Sequence, residues 1–253
     1  MVISIIGSGN VATVLGKIFK ENNHTINEII GRNETAVINL ASLLNAKPGF
    51  SIGHINKDSD IFIVAVKDDA VAEVSAQINA AQKIVVHTCG SVSVNVLKDA
   101  SGNYGVLYPL QSLRMELNYN PEIPFLIDGN NPHTKNIIQT FASSFAKTVI
   151  QANDEVRLRY HLSAIISSNF TNHLFALTKD YCSKNNIDFK LLLPLIEETV
   201  KRLHYYDPAA MQTGPAARGD NATIQKHFTL LEAYPALKNI YAMMSESIQH
   251  NRL

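Results

Sequence analysis

Short β-branched apolar runs alternate with amphipathic stretches through the first half of the chain. Val2 to Ile6 predicts a strand, and Val11 to roughly Glu21 a helix. Glu28-Ile29-Ile30 predicts a second strand and Glu34 to Leu44 a second helix, with a short third strand expected at Phe50 to Ile55. Asp60 to Val66 is apolar almost throughout, as a central strand buried on both faces should be. A helix is expected from about Ala70 to Ile78, then strands at Lys83 to His87 and Tyr104 to Tyr108. Phe125 to Ile127 and Thr148 to Ile150 flank a helix near Pro132 to Phe145 and extend the same sheet. After about Asn153 the strand-like runs stop. Long helical patterns follow over Asp154 to Ser183, Asp188 to Tyr206, Asn221 to Ala233 and Pro235 to Gln249. Pro and Gly between Asp207 and Asp220 interrupt them. The pattern predicts an α/β, Rossmann-type, doubly wound and mostly parallel sheet over residues 1–152, followed by an all-α domain over residues 153–253.

Between the first strand and first helix stands Gly7-Ser8-Gly9-Asn10-Val11-Ala12. In a dinucleotide loop Gly7 permits the tight turn, Gly9 lets a pyrophosphate approach the backbone, and Ala12 allows close helix–strand packing. The helix N-terminus offers free N–H groups to the phosphates. A purely structural turn or an S-adenosylmethionine site are the alternatives. The second strand ends in Gly31-Arg32-Asn33, with Arg32 where an NAD-specific protein carries an acid. A guanidinium suits a 2′-phosphate, so the cofactor expected is NADP, with Asn33 assisting. A solvent-facing Arg32 is the bland alternative.

Ligands of open α/β sheets sit at the carboxyl ends of the strands. Those ends are Val66-Lys67-Asp68-Asp69, His87-Thr88-Cys89-Gly90-Ser91 and Tyr108-Pro109-Leu110-Gln111. Val66, Lys67, His87 and Thr88 are expected beside the cofactor. Asp68 or Asp69, and Ser91, read first as helix caps. Cys89 reads as a small buried residue rather than a nucleophile.

At 100° per residue, His161, Ser168, Asn172 and Lys179 fall on one line of the first long helix, with Asn169 at its edge. Leu162, Ile165, Ile166, Phe170, Leu174 and Leu177 flank that stripe. It faces either solvent or a polar cleft between the domains. In Thr213 to Asp220 the glycines and Asp220 have structural roles as turn and cap. Arg218 is left without one and is a candidate anchor for an anionic substrate.

Composition narrows the field. Lys+Arg and Asp+Glu both number 22 in 253 residues, without the basic excess that nucleic acid demands. No apolar run reaches the roughly 20 residues of a membrane span. Two separated cysteines suggest reduced thiols, so a cytoplasmic location is expected. No His-Glu-x-x-His or Cys/His cluster offers a metal site.

The motifs Gly7 to Ala12, His87 to Ser91, Leu107 to Gln111 and Gly214 to Asp220 occur in an order that resembles a bacterial family. That family joins a Rossmann-like, NADP-oxidoreductase-type domain to a helical domain of unknown function. More distantly the chain resembles the 6-phosphogluconate dehydrogenase-like superfamily, with pyrroline-5-carboxylate reductase and the deazaflavin-dependent NADP reductases. The resemblance implies a substrate between the domains and a homodimer built through the helical domain. Hydroxyacid dehydrogenases of that superfamily use a Lys in the first long helix, whereas Ser167 to Asn172 holds none, which argues against that chemistry here. The expectation is an NADP(H)-dependent oxidoreductase of a small polar substrate, with His161, Ser168, Asn169, Asn172 and Arg218 at the substrate. An NADP-binding sensor without turnover and a deazaflavin-dependent NADP reductase are the alternatives.

Overall fold

In the computed structural model, which describes residues 1–55 and 58–250, the apolar runs of the first half pair into one eight-stranded sheet. Its strands are β1 (Val2–Ile6), β2 (Thr25–Ile30), β3 (Lys47–Gly49), β4 (Ile61–Val64), β5 (Ile84–His87), β6 (Asn103–Pro109), β7 (Phe125–Gly129) and β8 (Val149–Gln151). They lie in the order β3-β2-β1-β4-β5-β6-β7-β8, and every neighbouring pair is parallel except β6 and β7. The first six follow the Rossmann order, in which the winding reverses between β1 and β4 and opens a crevice at their carboxyl ends. Helices α1 (Asn10–Glu21), α2 (Glu34–Leu44), α3 (Val71–Ser75) and α4 (Pro132–Ser143) accompany the strands.

Central burial follows directly from side-chain alternation. Ile61 and Ile63 of β4 join one core cluster with Ile3, Leu15, Phe19 and Phe141. Phe62 and Val64 join another with Val71, Val85 and Leu97. Both faces of β4 are therefore dry, and each such side chain contributes about 1.5–3 kcal/mol of burial. The buried Ser4 hydroxyl is satisfied by the Ser59 hydroxyl at 2.8 Å.

The third strand differs from the expectation at Phe50 to Ile55. The chain pairs earlier, through Lys47-Pro48-Gly49, and Ile52–His54 forms a 3₁₀ turn. Proline is tolerated in β3 because this strand lies at the sheet edge, bonded on one side only. The helix expected from Ala70 is shorter and enters through a 3₁₀ turn at Asp68–Ala70.

The chain divides into two compact units, Met1–Ser168 and Asn169–Leu253. Helix α5 (Asp154–Ala164) is followed by a π-helical segment, Ile165–Phe170, and by α6 (Thr171–Lys184). The hydroxyls of Ser163 and Ser167 bond back to the carbonyls of Arg159 and Ser163, the kind of competition that perturbs a helix. In the second unit α7 (Leu193–Arg202), α8 (Pro215–Arg218), α9 (Asn221–Leu230) and α10 (Pro235–His250) complete the structure. The break before α9 holds the short α8, bounded by Gly214 and Gly219 at φ 106° and 69°. Among the described residues no helix is long and apolar enough to cross a membrane.

Candidate functional site

Gly7 leaves β1 at φ 124°, and its N–H donates to the Ile30 carbonyl at 2.7 Å. A Cβ at Gly7 would land on the Ala65 carbonyl, so the turn admits only glycine. At Gly9 a Cβ would meet nothing within 4 Å, and no side chain caps α1 there. The space beside Gly9 is open and no side chain caps the first turn of α1, features that suit a phosphate. Ala12 is fully buried against the sheet.

Beside this loop lies a cavity of about 710 Å³ whose lining includes Gly7, Ser8, Arg32, Asn33, Val66 and Lys67. Arg32 is largely exposed, its guanidinium 3.9 Å from the Glu73 carboxylate. Asn33 caps α2, its side-chain oxygen accepting from the Ala36 amide at 3.1 Å. The loop, Arg32 at the end of β2, and the exit of β4 therefore share one cavity. Asn10 and Val11 open α1, and the Asn10 side chain accepts from the Met115 amide at 3.1 Å. His87 and Thr88 do not line that cavity. His87 is fully buried, and Thr88 bonds back to the Val64 carbonyl.

A second polar cluster occupies the carboxyl ends of β5 and β6. Tyr108 Oη and His161 Nδ1 are 3.0 Å apart, their rings edge to face. Gly90 makes the pairing possible, since a Cβ there would come within 2.7 Å of His161 Nδ1 and 2.9 Å of Tyr108 Cζ. Ser91 donates its hydroxyl to the Asp68 carboxylate. Asp68 and Ser91 are therefore not the helix caps expected of them: no side chain caps the 3₁₀ turn at Asp68, and Ser93 caps the turn that follows Ser91.

Arg157, buried on α5, donates to the carbonyl of Val92 and to Asp154. Asp154 also accepts from the Val94 amide at 3.1 Å. Burial pushes the Asp154 carboxyl up, but hydrogen bonds from Ser93, Arg157 and Val94 outweigh it and hold the group below its ordinary range. Burial first, then the Arg157 cation, pushes His87 down to about 4. Burial, reinforced by Asp68, pushes the Cys89 thiol and the Tyr108 phenol up. A buried thiol kept protonated is a poor nucleophile.

Ser168 and Asn169 lie in the π-helical segment and Asn172 in α6, all three exposed; Arg218 closes α8, also exposed. Sequence reasoning did not single out Arg157 or the Tyr108 pairing. The glycine at position 90 was the one available signal, as a place where other groups must approach closely.

Residues 2–90 match the family described as NADP oxidoreductase coenzyme F420-dependent, and residues 123–248 match Domain of unknown function (DUF2520). A Bacteroides fragilis protein provisionally described as an NADP oxidoreductase is 33% identical, with 99% of this chain and 98% of that one covered, and a TM-score of 0.93. The chain belongs to the same family. Its family thus pairs an NADP-oxidoreductase Rossmann domain with the helical domain, as the motifs implied. The family description names the cofactor to which Arg32 and the glycine loop point. The fold extends to a reductive aminase from Aspergillus terreus in complex with NADPH and ethyl-5-oxohexanoate, at 12% identity, TM-score 0.75 and coverage of 99% and 94%. It also extends to an imine reductase from Myxococcus stipitatus in complex with NADP+, at 15% identity, TM-score 0.66 and coverage of 98% and 93%. Among curated proteins none matches this sequence.

Proposed function

We propose that the protein is an NADP(H)-dependent oxidoreductase of a small polar substrate carrying a carbonyl or imine group. The observation that carries this reading is the cavity in which the Gly7 loop, Arg32 and Lys67 meet. These residues fit the cofactor. The open approach at Gly9 and the uncapped start of α1 suit a pyrophosphate, and Arg32 with Lys67 suits a 2′-phosphate. When bound, reduced nicotinamide supplies two electrons and a hydrogen to a substrate carbon. The protein's part is to bind, orient and deliver a proton.

His161, Ser168, Asn169, Asn172 and Arg218 remain our candidates for orienting the substrate, with Arg218 as the anion anchor. The π-helical turn supports Ser168 and Asn169, because such segments occur frequently at functional sites. A homodimer formed through the helical half completes the proposal. It is supported by large apolar side chains left open in the second unit, among them Leu191 at 77%, Tyr205 at 72% and Met243 at 70% exposure.

Thermal-shift and fluorescence titrations with NADPH, NADP, NADH and NAD test the reading, beside Arg32→Ala. NADPH binding should weaken about 10- to 100-fold in the variant, the worth of a charge-assisted contact, with little change for NADH. Equal preference for NADH in the unaltered protein would refute the role of Arg32. NADPH oxidation is then followed with cyclic imines and ketones. Binding without turnover would favour a cofactor-sensing role. Turnover only with a deazaflavin partner would favour the reading raised by the match at residues 2–90.

A further inference from the structure

An oxidoreductase that reduces C=O or C=N must also supply a proton, and the long helix offers no lysine from Asp154 as far as Lys179. The first compact unit holds another donor. Tyr108 ends the apolar part of β6, and its phenol meets His161 Nδ1 at 3.0 Å. Both lie at the carboxyl edge of the sheet, where the β4 exit, Val66 and Lys67, lines the cofactor cavity. Position 90 is glycine where any Cβ would drive into both rings, so the end of β5 is shaped around this pair.

The other groups at this edge are committed or inaccessible. Asp68 accepts from Ser91, and His87 and Cys89 are 0% and 4% exposed, whereas Tyr108 keeps 9% exposure beside the half-buried His161. Burial and the charge of Asp68 keep the proton on Tyr108, with Cys89 adding to that and the Arg157 cation opposing it. His161 is partly exposed and can exchange protons with water.

Resting on the oxidoreductase reading, we infer that Tyr108 is the catalytic proton donor and that His161 is the positioning residue that reprotonates it. As the new C–H bond forms at the substrate carbon, the π electron pair of C=N or C=O moves onto the heteroatom. The Tyr108 O–H bond breaks and the heteroatom–H bond forms. The phenolate takes a proton from His161 Nδ1, and the imidazole recovers one from water. The hydrogen and electron pair of the new C–H bond are those that reduced nicotinamide supplies when bound, and the proton comes from solvent.

The test compares the unaltered protein with Tyr108→Phe, His161→Ala and His161→Asn, using NADPH and the cyclic imine 1-pyrroline. Tyr108→Phe should bind NADPH within about twofold by fluorescence while kcat falls about 100-fold or more and KM stays within a few-fold. His161→Ala should lose about tenfold in kcat, and His161→Asn should recover part of it. In the cofactor-free protein, an alkaline ultraviolet titration of Tyr108→Phe should lack one tyrosinate, the one that ionises above the ordinary phenol range. Tyr108→Phe turning over within about threefold of the unaltered protein would overturn the donor role and leave the oxidoreductase reading standing. Loss of NADPH binding in Tyr108→Phe would overturn it too, by making the pair part of the cofactor site. An unaltered protein that binds NADPH yet reduces no imine or ketone would overturn the oxidoreductase reading and the donor role together.

Discussion

Mild acid should loosen this fold chiefly through His87. Its ring is fully buried at the end of β5, where Nδ1 accepts the Cys89 amide proton at 3.2 Å and Nε2 has no partner among the described residues. Burial, with the Arg157 cation second, moves its pKa from 6.5 to about 4, against smaller opposing effects of Asp154, the Ser93 backbone and Asp68. The folded protein therefore holds His87 neutral where the unfolded chain already takes up a proton. Between about 6.5 and about 4 the unfolded state binds more protons, so stability falls as pH falls through that window. The contribution is complete above the unfolded value and lost at the folded one. At 1.36 kcal/mol per pH unit the interval is worth roughly 3 kcal/mol, a large part of a typical domain's stability. Burial and the N-terminal charge lower His24 as well, which adds a slope of the same sign. The difference from a variant isolates His87. Urea unfolding at several pH values from about 7.5 to about 4.5 should show a steep loss for the unaltered protein and a shallower one for His87→Asn. Parallel curves for the two proteins would refute the argument.

Two further outcomes follow from the geometry. Gly7→Ala places a Cβ on the Ala65 carbonyl in a backbone with φ 124°, and should cost about 2–4 kcal/mol in urea unfolding while abolishing any NADPH-induced thermal shift. An unchanged midpoint would show that the turn tolerates a side chain. For the proposed dimer, sedimentation at micromolar concentration should give twice the mass of 27.9 kDa, and replacing Leu195 by Glu should return the protein to the monomer. A monomer in both cases would remove that part of the proposal.

The sheet and the phosphate loop were legible because local residues dictate them. The run Ile61 to Val64 can be satisfied only by burial on both faces, and the backbone at Gly7 requires that residue. Strand β3 was not legible, since Lys47-Pro48-Gly49 carries turn preferences and is held extended by its pairing with Glu28 to Ile30. Arg157 escaped notice because arginine is rarely buried and one of its partners, the Val92 carbonyl, is a main-chain atom that no residue pattern reveals. The pairing of Tyr108 with His161 joins residues 53 apart in sequence. His161 and Tyr108 could each be noticed, but not their contact. Asp68 and Ser91 had the residue types of caps, and their mutual bond across 23 residues took precedence over that role.

Arg157 connects these observations. A buried guanidinium whose Nε and Nη1 have no partner among the described residues costs more than an apolar side chain filling the same space, so stability alone does not account for it. What it does is fix position. Asp154, Arg157 and His161 recur at helical spacing and share one face of α5. The first two bind the backbone at Val92 and Val94, immediately after Gly90 and Ser91, and the third binds Tyr108. One helix face thereby sets the loop that gives the Tyr108–His161 pair its room and holds the pair itself.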